Sequence, residues 1–196
     1  MSYLSPRRAA AMGLALISSI ALSVGGSAQT MGSPERFTAM AVNMDNGRTS
    51  SVDIVVNRWS TEAERERLMS TLLEKGPEKL LDVLQSAPRA GYFRTPESTG
   101  WDLHYARRTP LPDGGERVVL ATDRRINFWE ARNRPRSIDY PFTVIELHMN
   151  RDGEGEGKMS IATKITAEKE SNTIVLENYG TQPVLLQSVK REKASR

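Results

Sequence analysis

The stretch "SSVDIVVNRWSTEAERERLMSTLLEKG", residues 50–76, decides the fold because its hydrophobic period changes part-way along. Val52, Ile54 and Val56 alternate with their neighbours, a pattern typical of a half-buried β-strand. After Trp59 the apolar residues recur at the spacing of an amphipathic helix. The stretch therefore predicts a β-strand that is followed directly by an α-helix.

A short helical hairpin is predicted over residues 60–87. Thr61 and Glu64 fit the S/T-x-x-E capping box that begins a helix. Gly76 suits a left-handed stop, and Pro77 suits the first position of a second helix. The apolar face of the two helices consists of Leu68, Met69, Leu72, Leu73, Leu80, Leu81, Val83 and Leu84. We expect this face to pack on the protein's own sheet, with docking of a partner as the alternative.

Extended segments lie on both sides of this hairpin. Upstream, "RFTAMAVNM" at residues 36–44 precedes a "DNG" turn signal at residues 45–47, where Asn and Gly tolerate positive φ. Downstream, the segments with strand composition are "GYFRT", "WDLHYARRT", "ERVVLAT", "YPFTVIELHM", "KMSIATKITA", "NTIVLENY" and "PVLLQSV". Short loops such as "PLPDGG" at residues 110–115 and "DGEGEG" at residues 152–157 make consecutive strands antiparallel neighbours. We therefore predict a mainly β fold of the α+β class, an antiparallel β-sandwich or barrel with an inserted helical hairpin.

The N-terminus predicts export. Arg7 and Arg8 precede an uncharged run at residues 9–24, and small residues follow that run up to Ala28. A basic flank, an apolar stretch and small residues at a cut are the parts of a cleaved export signal. The run is shorter than the ~20 strongly apolar residues that a spanning helix needs, and an uncleaved anchor is the alternative. The predicted organisation is a signal peptide at 1–28, a flexible lead at 29–35, a single β-rich domain at 36–190 and a polar tail at 191–196.

Composition excludes several classes of function. The chain has no cysteine, which excludes thiolate catalysis, thiolate metal sites and disulfides. It has 27 Lys and Arg against 24 Asp and Glu, and residues 1–28 contain two of the arginines and no acid. The rest of the chain is therefore close to neutral and has no footprint for nucleic acid. No phosphate loop, H-E-x-x-H motif or dinucleotide fingerprint occurs, so we predict no cofactor.

A row of arginines is the first candidate site. In "NFWEARNRPRSIDYPF", residues 127–142, Arg132, Arg134 and Arg136 stand at every second position. An extended backbone places these three side chains on one face, where guanidinium groups suit carboxylates or phosphates, and Trp129 can stack on an apolar group. We predict these four residues as ligand-binding and the ligand as an anionic or amphipathic component of the cell envelope. The alternative is a solvated segment whose arginines pair with nearby acids.

Two histidine–carboxylate pairs form the second candidate site. Asp102 precedes His104 by two residues, and Glu146 precedes His148 by two residues. On strands, this spacing places the acid and the imidazole on one face. Two such strands, if neighbours in register, can bind a divalent metal, or each acid can orient its histidine as a general base. The competing interpretation places both pairs on the solvated face, and we predict neither a metal site nor catalytic residues.

Several motifs together resemble a group of exported bacterial proteins of unknown function. They are "RWSTEAER", "GPEKLL", "GYFRTP", "WDLHYARRTPLPDGGERVVLATDR", "FWEARNRPRSIDYPFTVIE", "GEGEGKMS" and "VLENYGTQPV". The resemblance spans most of residues 36–190 and implies a shared fold and export. It carries no activity, cofactor or catalytic residue.

The function predicted from these observations is that of an exported, non-catalytic binding protein of the cell envelope, in the periplasm or outside the cell. The expected ligand is anionic or amphipathic, nucleic acid is not expected, and no membrane span is expected after cleavage. Two alternatives stay open. One is a metal-assisted hydrolase that uses the histidine–carboxylate pairs, and the other is a structural or assembly protein of the envelope.

Overall fold

The computed structural model describes residues 34–124, 140–168, 173–178 and 182–192. The strands in these ranges are β1 (Glu35–Val42), β2 (Thr49–Val56), β3 (Gly91–Arg94), β4 (Trp101–Pro110), β5 (Glu116–Thr122), β6 (Phe142–Met149), β7 (Glu154–Glu168), β8 (Thr173–Asn178) and β9 (Val184–Glu192). Helices α1 (Glu62–Lys75) and α2 (Pro77–Ser86) lie between β2 and β3. These elements confirm the mainly β fold with an inserted helical hairpin.

The strands close into an antiparallel barrel. Strands β1 to β6 pair in chain order, β6 pairs with β7, β7 with β9, and β9 returns to β1. The extra strand β8 pairs with β7 at residues 163–168, beyond the part of β7 that faces β9. Closure of the other eight strands removes the open edges that a sandwich would retain. Of the two predicted architectures, the barrel is therefore the one observed.

A β-bulge in β9 interrupts the barrel. Leu186 and Val189 of β9 are opposite Gly157 and Gly155 of β7, so β9 has one more residue than its partner between these positions. The same shift occurs on the side of β1. Ser188 lies within the bulge and has a φ of 50°, a left-handed conformation that is unusual for a residue other than glycine. Such bulges bend a strand and often lie beside functional sites.

Apolar side chains from every strand of the barrel wall fill its interior. The largest of these fully buried side chains are Phe37, Phe93, Ile54, Leu103, Leu120, Ile145, Leu147, Met159, Leu186 and Val52. An eight-stranded barrel is just wide enough for its own side chains when these are large. These buried side chains form the main hydrophobic core of the described residues.

An arginine lies at one end of this interior. The Arg191 guanidinium carbon is 5.1 Å from the centre of the Phe37 ring, and its Nε atom is 3.4 Å from a carboxylate oxygen of Glu35. Nη2 of Arg191 contacts the Glu116 carboxylate. β9 continues to Glu192 because these contacts hold Arg191 against the barrel. The strands thus extend into the residues that the sequence assigned to a lead and a polar tail.

The capping box predicted for α1 is present. The Thr61 hydroxyl accepts a hydrogen bond from the Glu64 amide at 3.0 Å, and the Glu64 carboxylate accepts one from the Thr61 amide at 2.8 Å. Gly76 ends α1 with a φ of 83°, and Pro77 is the first residue of α2. Neither helix of the described ranges has the length and apolar character required to cross a membrane.

The helical hairpin covers one side of the barrel. Leu72, Leu80 and Leu84 are buried and pack in one cluster with Phe142 and Val144, which lie on β6. Half-buried members of the same cluster are Leu68, Leu81, Tyr105, Val119, Ile165 and Ala167. The expectation that the helices pack on the protein's own sheet is confirmed.

Candidate functional site

The arginine row lies outside the described residues. Arg132, Arg134, Arg136 and Trp129 all fall within residues 125–139, and their proposed role stays a prediction. The described chain stops at Arg124, after β5, and resumes at Tyr140, just before β6.

The two histidine–carboxylate pairs do not share a site. β5 lies between β4 and β6, so the premise that the two strands are neighbours is wrong. His148 is opposite Arg117, near the start of β5, whereas Leu103, which precedes His104, is opposite Thr122 at its end. Within the ranges that the structure describes, no group of three or more His, Asp and Glu side chains could hold a metal ion.

His104 connects α2 to the barrel. Its Nδ1 atom is 3.0 Å from the carbonyl oxygen of Ala87, the residue that caps the end of α2. Its Nε2 atom lies 3.8 Å from a carboxylate oxygen of Asp123, and both side chains are only 14% exposed. Asp102 instead forms an ion pair with Arg89 at 2.7 Å. These contacts give His104 a structural role at the point where the helices join the sheet.

His148 and Glu146 do form a pair. Nε2 of His148 is 2.9 Å from Oε1 of Glu146, and Nε of Arg117 donates to the same oxygen at 2.6 Å. Partial burial raises the pKa of Glu146, but the hydrogen bonds from Arg117 and His148 lower it by more, so its pKa lies below the ordinary value of 4.5. Glu146 is therefore an ionised, oriented carboxylate whose charge is compensated by its neighbours.

A cleft of about 270 Å³ lies next to this pair, on the outer face of β6, β7 and β9. We call it the bulge-side cleft, and its lining residues are Glu146, His148, Glu156, Gly157, Lys158, Leu185, Leu186 and Gln187. A side chain at Gly157 would meet the carbonyl oxygen of Glu146 and the Leu147 side chain, so glycine permits the close approach of β6 and β7 here. Gln187 and Ser188 belong to the bulge, which places the irregular part of β9 at the cleft wall.

Two charged side chains in the bulge-side cleft have no partner within the described parts of the chain. Lys158 is opposite Glu146 in the β6–β7 register, and Glu156 is opposite His148. Neither the Lys158 ammonium nor the Glu156 carboxylate makes a hydrogen bond or ion pair with another described residue, and both side chains are exposed. Leu185, half-buried on β9, supplies an apolar wall beside them. The cleft thus combines an available cation, an available anion and an apolar surface.

A second, smaller cleft lies on the outer face of β2 and β3. Its volume is about 180 Å³, and it is lined by Ser51, Asp53, Arg94, Thr95, Pro96 and Ser98. The Arg94 guanidinium donates twice to one Asp53 oxygen, at 3.0 and 2.8 Å, and lies 5.9 Å from the centre of the Tyr92 ring. The charges of this cleft therefore satisfy each other, unlike those of Lys158 and Glu156.

No protein-family model matches the chain, and no significant match to it is found among curated proteins or among solved structures. The resemblance to exported bacterial proteins stays a prediction.

The sequence contains a signal for the bulge-side cleft in "DGEGEG", residues 152–157. The prediction that this whole segment is a loop between two strands is wrong, because the turn lies at residues 150–153 and β7 begins at Glu154. Glycines at every second position within a strand indicate close approach of a neighbouring backbone. That interpretation would have placed Glu156 and Lys158 together on the outer face of β7.

Proposed function

We propose that this chain is an exported, non-catalytic binding protein of the cell envelope whose ligand is anionic or amphipathic. The observation that carries the proposal is the bulge-side cleft, where the unpaired ammonium of Lys158 lies beside the apolar wall of Leu185 and suits an amphipathic ligand. A purely anionic ligand is expected instead at the arginine row predicted from the sequence. The packed barrel interior also supports it, because a filled core directs recognition to the outer surface. Export rests on the basic and apolar pattern of residues 1–28.

A binding role is favoured over a hydrolytic one by the contents of the cleft. None of the described residues that line it carries a hydroxyl or thiol, the side chains that most often act as nucleophiles. His148 has a carboxylate partner, but the second histidine–carboxylate pair lies elsewhere on the barrel. Binding of a ligand without catalysis needs only complementary charges and an apolar surface, and the cleft supplies both through Lys158, Glu156 and Leu185.

A binding measurement tests the function. Residues 29–196 are mixed with vesicles of anionic phospholipid and, separately, with an anionic cell-wall polymer. We expect saturable binding of at least one, with loss of affinity in the triple variant Arg132→Ala, Arg134→Ala, Arg136→Ala. Arg67→Ala, on the exposed surface of α1, is the control and should bind as the unchanged protein does. Absence of binding to every envelope ligand, the small ligands named below included, would contradict the proposal.

Export is tested separately, on the full chain expressed in a bacterium. We expect the cell to remove the first residues near Ala28, which mass spectrometry of the periplasmic and extracellular fractions detects. A chain that stays in the cytoplasm with its N-terminus intact would contradict export while leaving the binding result unaffected.

An assembly role is the second candidate, favoured by β8. Ile174, Val175 and Leu176 are 45%, 44% and 43% exposed, and in the described ranges β8 pairs with β7 alone. Exposed apolar edge strands favour pairing with another chain. Two copies of β8, paired antiparallel about Val175, would place Ile174 opposite Leu176 of the partner subunit, which is a self-complementary arrangement.

Light scattering tests this second candidate. We expect a dimer whose mass falls to that of a monomer in Leu176→Lys, because a lysine on the edge strand opposes pairing. Lys164→Gln, on the neighbouring strand β7, should leave the dimer intact. A monomer at every protein concentration would exclude self-assembly through β8.

A further inference from the structure

We propose that the bulge-side cleft binds a small apolar zwitterion, of the chemical class of a free α-amino acid or a dipeptide. This inference rests on the proposed function and specifies the amphipathic ligand of that function. Its basis is the pair of unpaired opposite charges that the cleft presents.

The two charges are spaced to receive one ligand. Glu156 and Lys158 point to the same face of β7, so their Cα atoms are about 7 Å apart. They form no ion pair with each other. A ligand with a carboxylate and an ammonium a few ångströms apart can place the carboxylate on Lys158 and the ammonium on Glu156. Both contacts are charge-assisted hydrogen bonds, which are the stronger kind in proteins.

The remaining charges of the cleft do not compete with these contacts. Glu146 would attract the ligand ammonium, but Arg117 and His148 already occupy one of its oxygens and compensate its charge. A purely anionic ligand would meet repulsion from Glu156, and a purely cationic one would meet repulsion from Lys158. The cleft therefore favours a ligand that carries both charges.

The volume of the cleft and its apolar wall restrict the class of ligand further. At about 270 Å³ the cleft lies just below the ~300–1,000 Å³ that is usual for small-molecule sites, which fits a ligand of a few heavy atoms. Leu185 is half-buried and offers an apolar surface to the ligand side chain. The Gln187 amide, with both a donor and an acceptor, lies at the bulged wall.

Isothermal titration of residues 29–196 with leucine, leucyl-leucine, N-acetyl-leucine and leucinamide tests the inference. We expect saturable binding of leucine or leucyl-leucine, and which of the two binds more tightly distinguishes the two sources of the zwitterion. N-acetyl-leucine lacks the ammonium and leucinamide lacks the carboxylate. Each should bind about tenfold more weakly or not at all, because each loses one charge-assisted contact.

Two variants test whether the ligand binds in the cleft. Lys158→Gln and Glu156→Gln should each weaken leucine binding about tenfold. The matched controls are Lys79→Gln and Glu78→Gln, two exposed residues of α2, and neither should change leucine binding. All four positions are exposed, so we expect unaltered thermal unfolding, which is measured alongside.

Three results would overturn the inference. They are absence of binding by both zwitterions, binding of either blocked derivative as tight as that of leucine, and full affinity in both cleft variants. If one of these results is found, but the unchanged protein binds anionic vesicles or polymer and the triple arginine variant does not, the zwitterion inference fails and the proposed function stands. If none of these ligands binds, both fail.

Discussion

Nε2 of His148 lies 2.9 Å from Oε1 of Glu146, and that same oxygen accepts a hydrogen bond from Nε of Arg117 on the neighbouring strand. One carboxylate oxygen thus joins β5 and β6 on the outside of the barrel. The Glu146 side chain is 30% exposed, against 50% for Arg117 and 52% for His148. Because Glu146 is the least exposed of the three, its charge depends most on its partners.

The first prediction concerns the pH dependence of this contact. The pKa of Glu146 is lower in the folded chain than its ordinary value of 4.5, so the folded state favours the ionised form. Its contribution to the free energy of unfolding is present above pH 4.5 and is lost as the pH falls through the lower, folded pKa. Glu146→Gln should therefore lower the free energy of unfolding near neutral pH, with a smaller difference in acid.

Urea denaturation at about pH 7 and about pH 3 measures this difference. The control is Glu97→Gln, an exposed residue of the β3–β4 loop, which should change the free energy of unfolding by less than about 0.5 kcal/mol. A constant difference between Glu146→Gln and the unchanged protein at both pH values would contradict the role of the carboxylate charge.

The second prediction concerns the strained residue of the β9 bulge. Ser188 has a φ of 50°, and a β-branched side chain is strongly disfavoured there. Ser188→Val should reduce the free energy of unfolding by about 1 kcal/mol or more, whereas Ser188→Gly should be neutral or slightly stabilising, because relief of strain offsets the greater freedom of the unfolded chain.

Thermal and urea unfolding of both variants measure the effect of this strain. Met40→Val, an exposed position on the neighbouring strand β1, is the control and should stay within about 0.5 kcal/mol. If Ser188→Val is as stable as Ser188→Gly, the left-handed conformation at this position is incorrect.

Local patterns in the sequence predicted most of the fold. Thr61, Glu64, Gly76 and Pro77 have defined conformational preferences, so the helix ends follow from neighbouring residues alone. The strands follow from alternation of apolar residues. The choice between sandwich and barrel did not follow, because it depends on β9 pairing with both β1 and β7, across most of the chain.

The candidate site was harder to predict, for a physical reason. Glu146 and His148 are two residues apart, and this spacing alone predicts that they lie on the same face of a strand. The cleft beside them also needs Lys158 from β7 and Leu185 from β9, and a one-residue bulge sets their positions. Registers and bulges arise from long-range packing, and a sequence pattern specifies them only weakly.

The third prediction concerns the capping box of α1. Thr61→Ala removes the hydroxyl that accepts the Glu64 amide hydrogen bond, and we expect a loss of about 1 kcal/mol in the free energy of unfolding. Ser70→Ala is the control, because that hydroxyl only bonds back to the carbonyl of Arg67 within the same helix. Chemical denaturation measures the free energy of unfolding of both variants. An equal loss in Thr61→Ala and Ser70→Ala would show that the capping hydrogen bond does not stabilise the protein.

The last prediction concerns two adjacent residues of β9 near the C-terminus. The Arg191 side chain is 29% exposed and pairs with Glu35 and Glu116, which are 24% and 19% exposed. Lys190 pairs with Glu154, and their side chains are 64% and 60% exposed. Arg191→Met keeps an apolar group over Phe37 but leaves the partly buried Glu116 carboxylate without its cation, whereas Glu35 retains Arg108. We therefore expect a loss of about 2 kcal/mol.

The matched variant is Lys190→Met, which breaks an exposed ion pair and should change the free energy of unfolding by less than about 0.5 kcal/mol. Adding Glu116→Gln to Arg191→Met should recover part of the loss, because one uncompensated charge is then removed. Urea denaturation of the three variants provides the comparison. If Arg191→Met is as mild as Lys190→Met, the chain after residue 190 is a solvated tail, as its sequence alone suggests, and does not stabilise the end of the barrel.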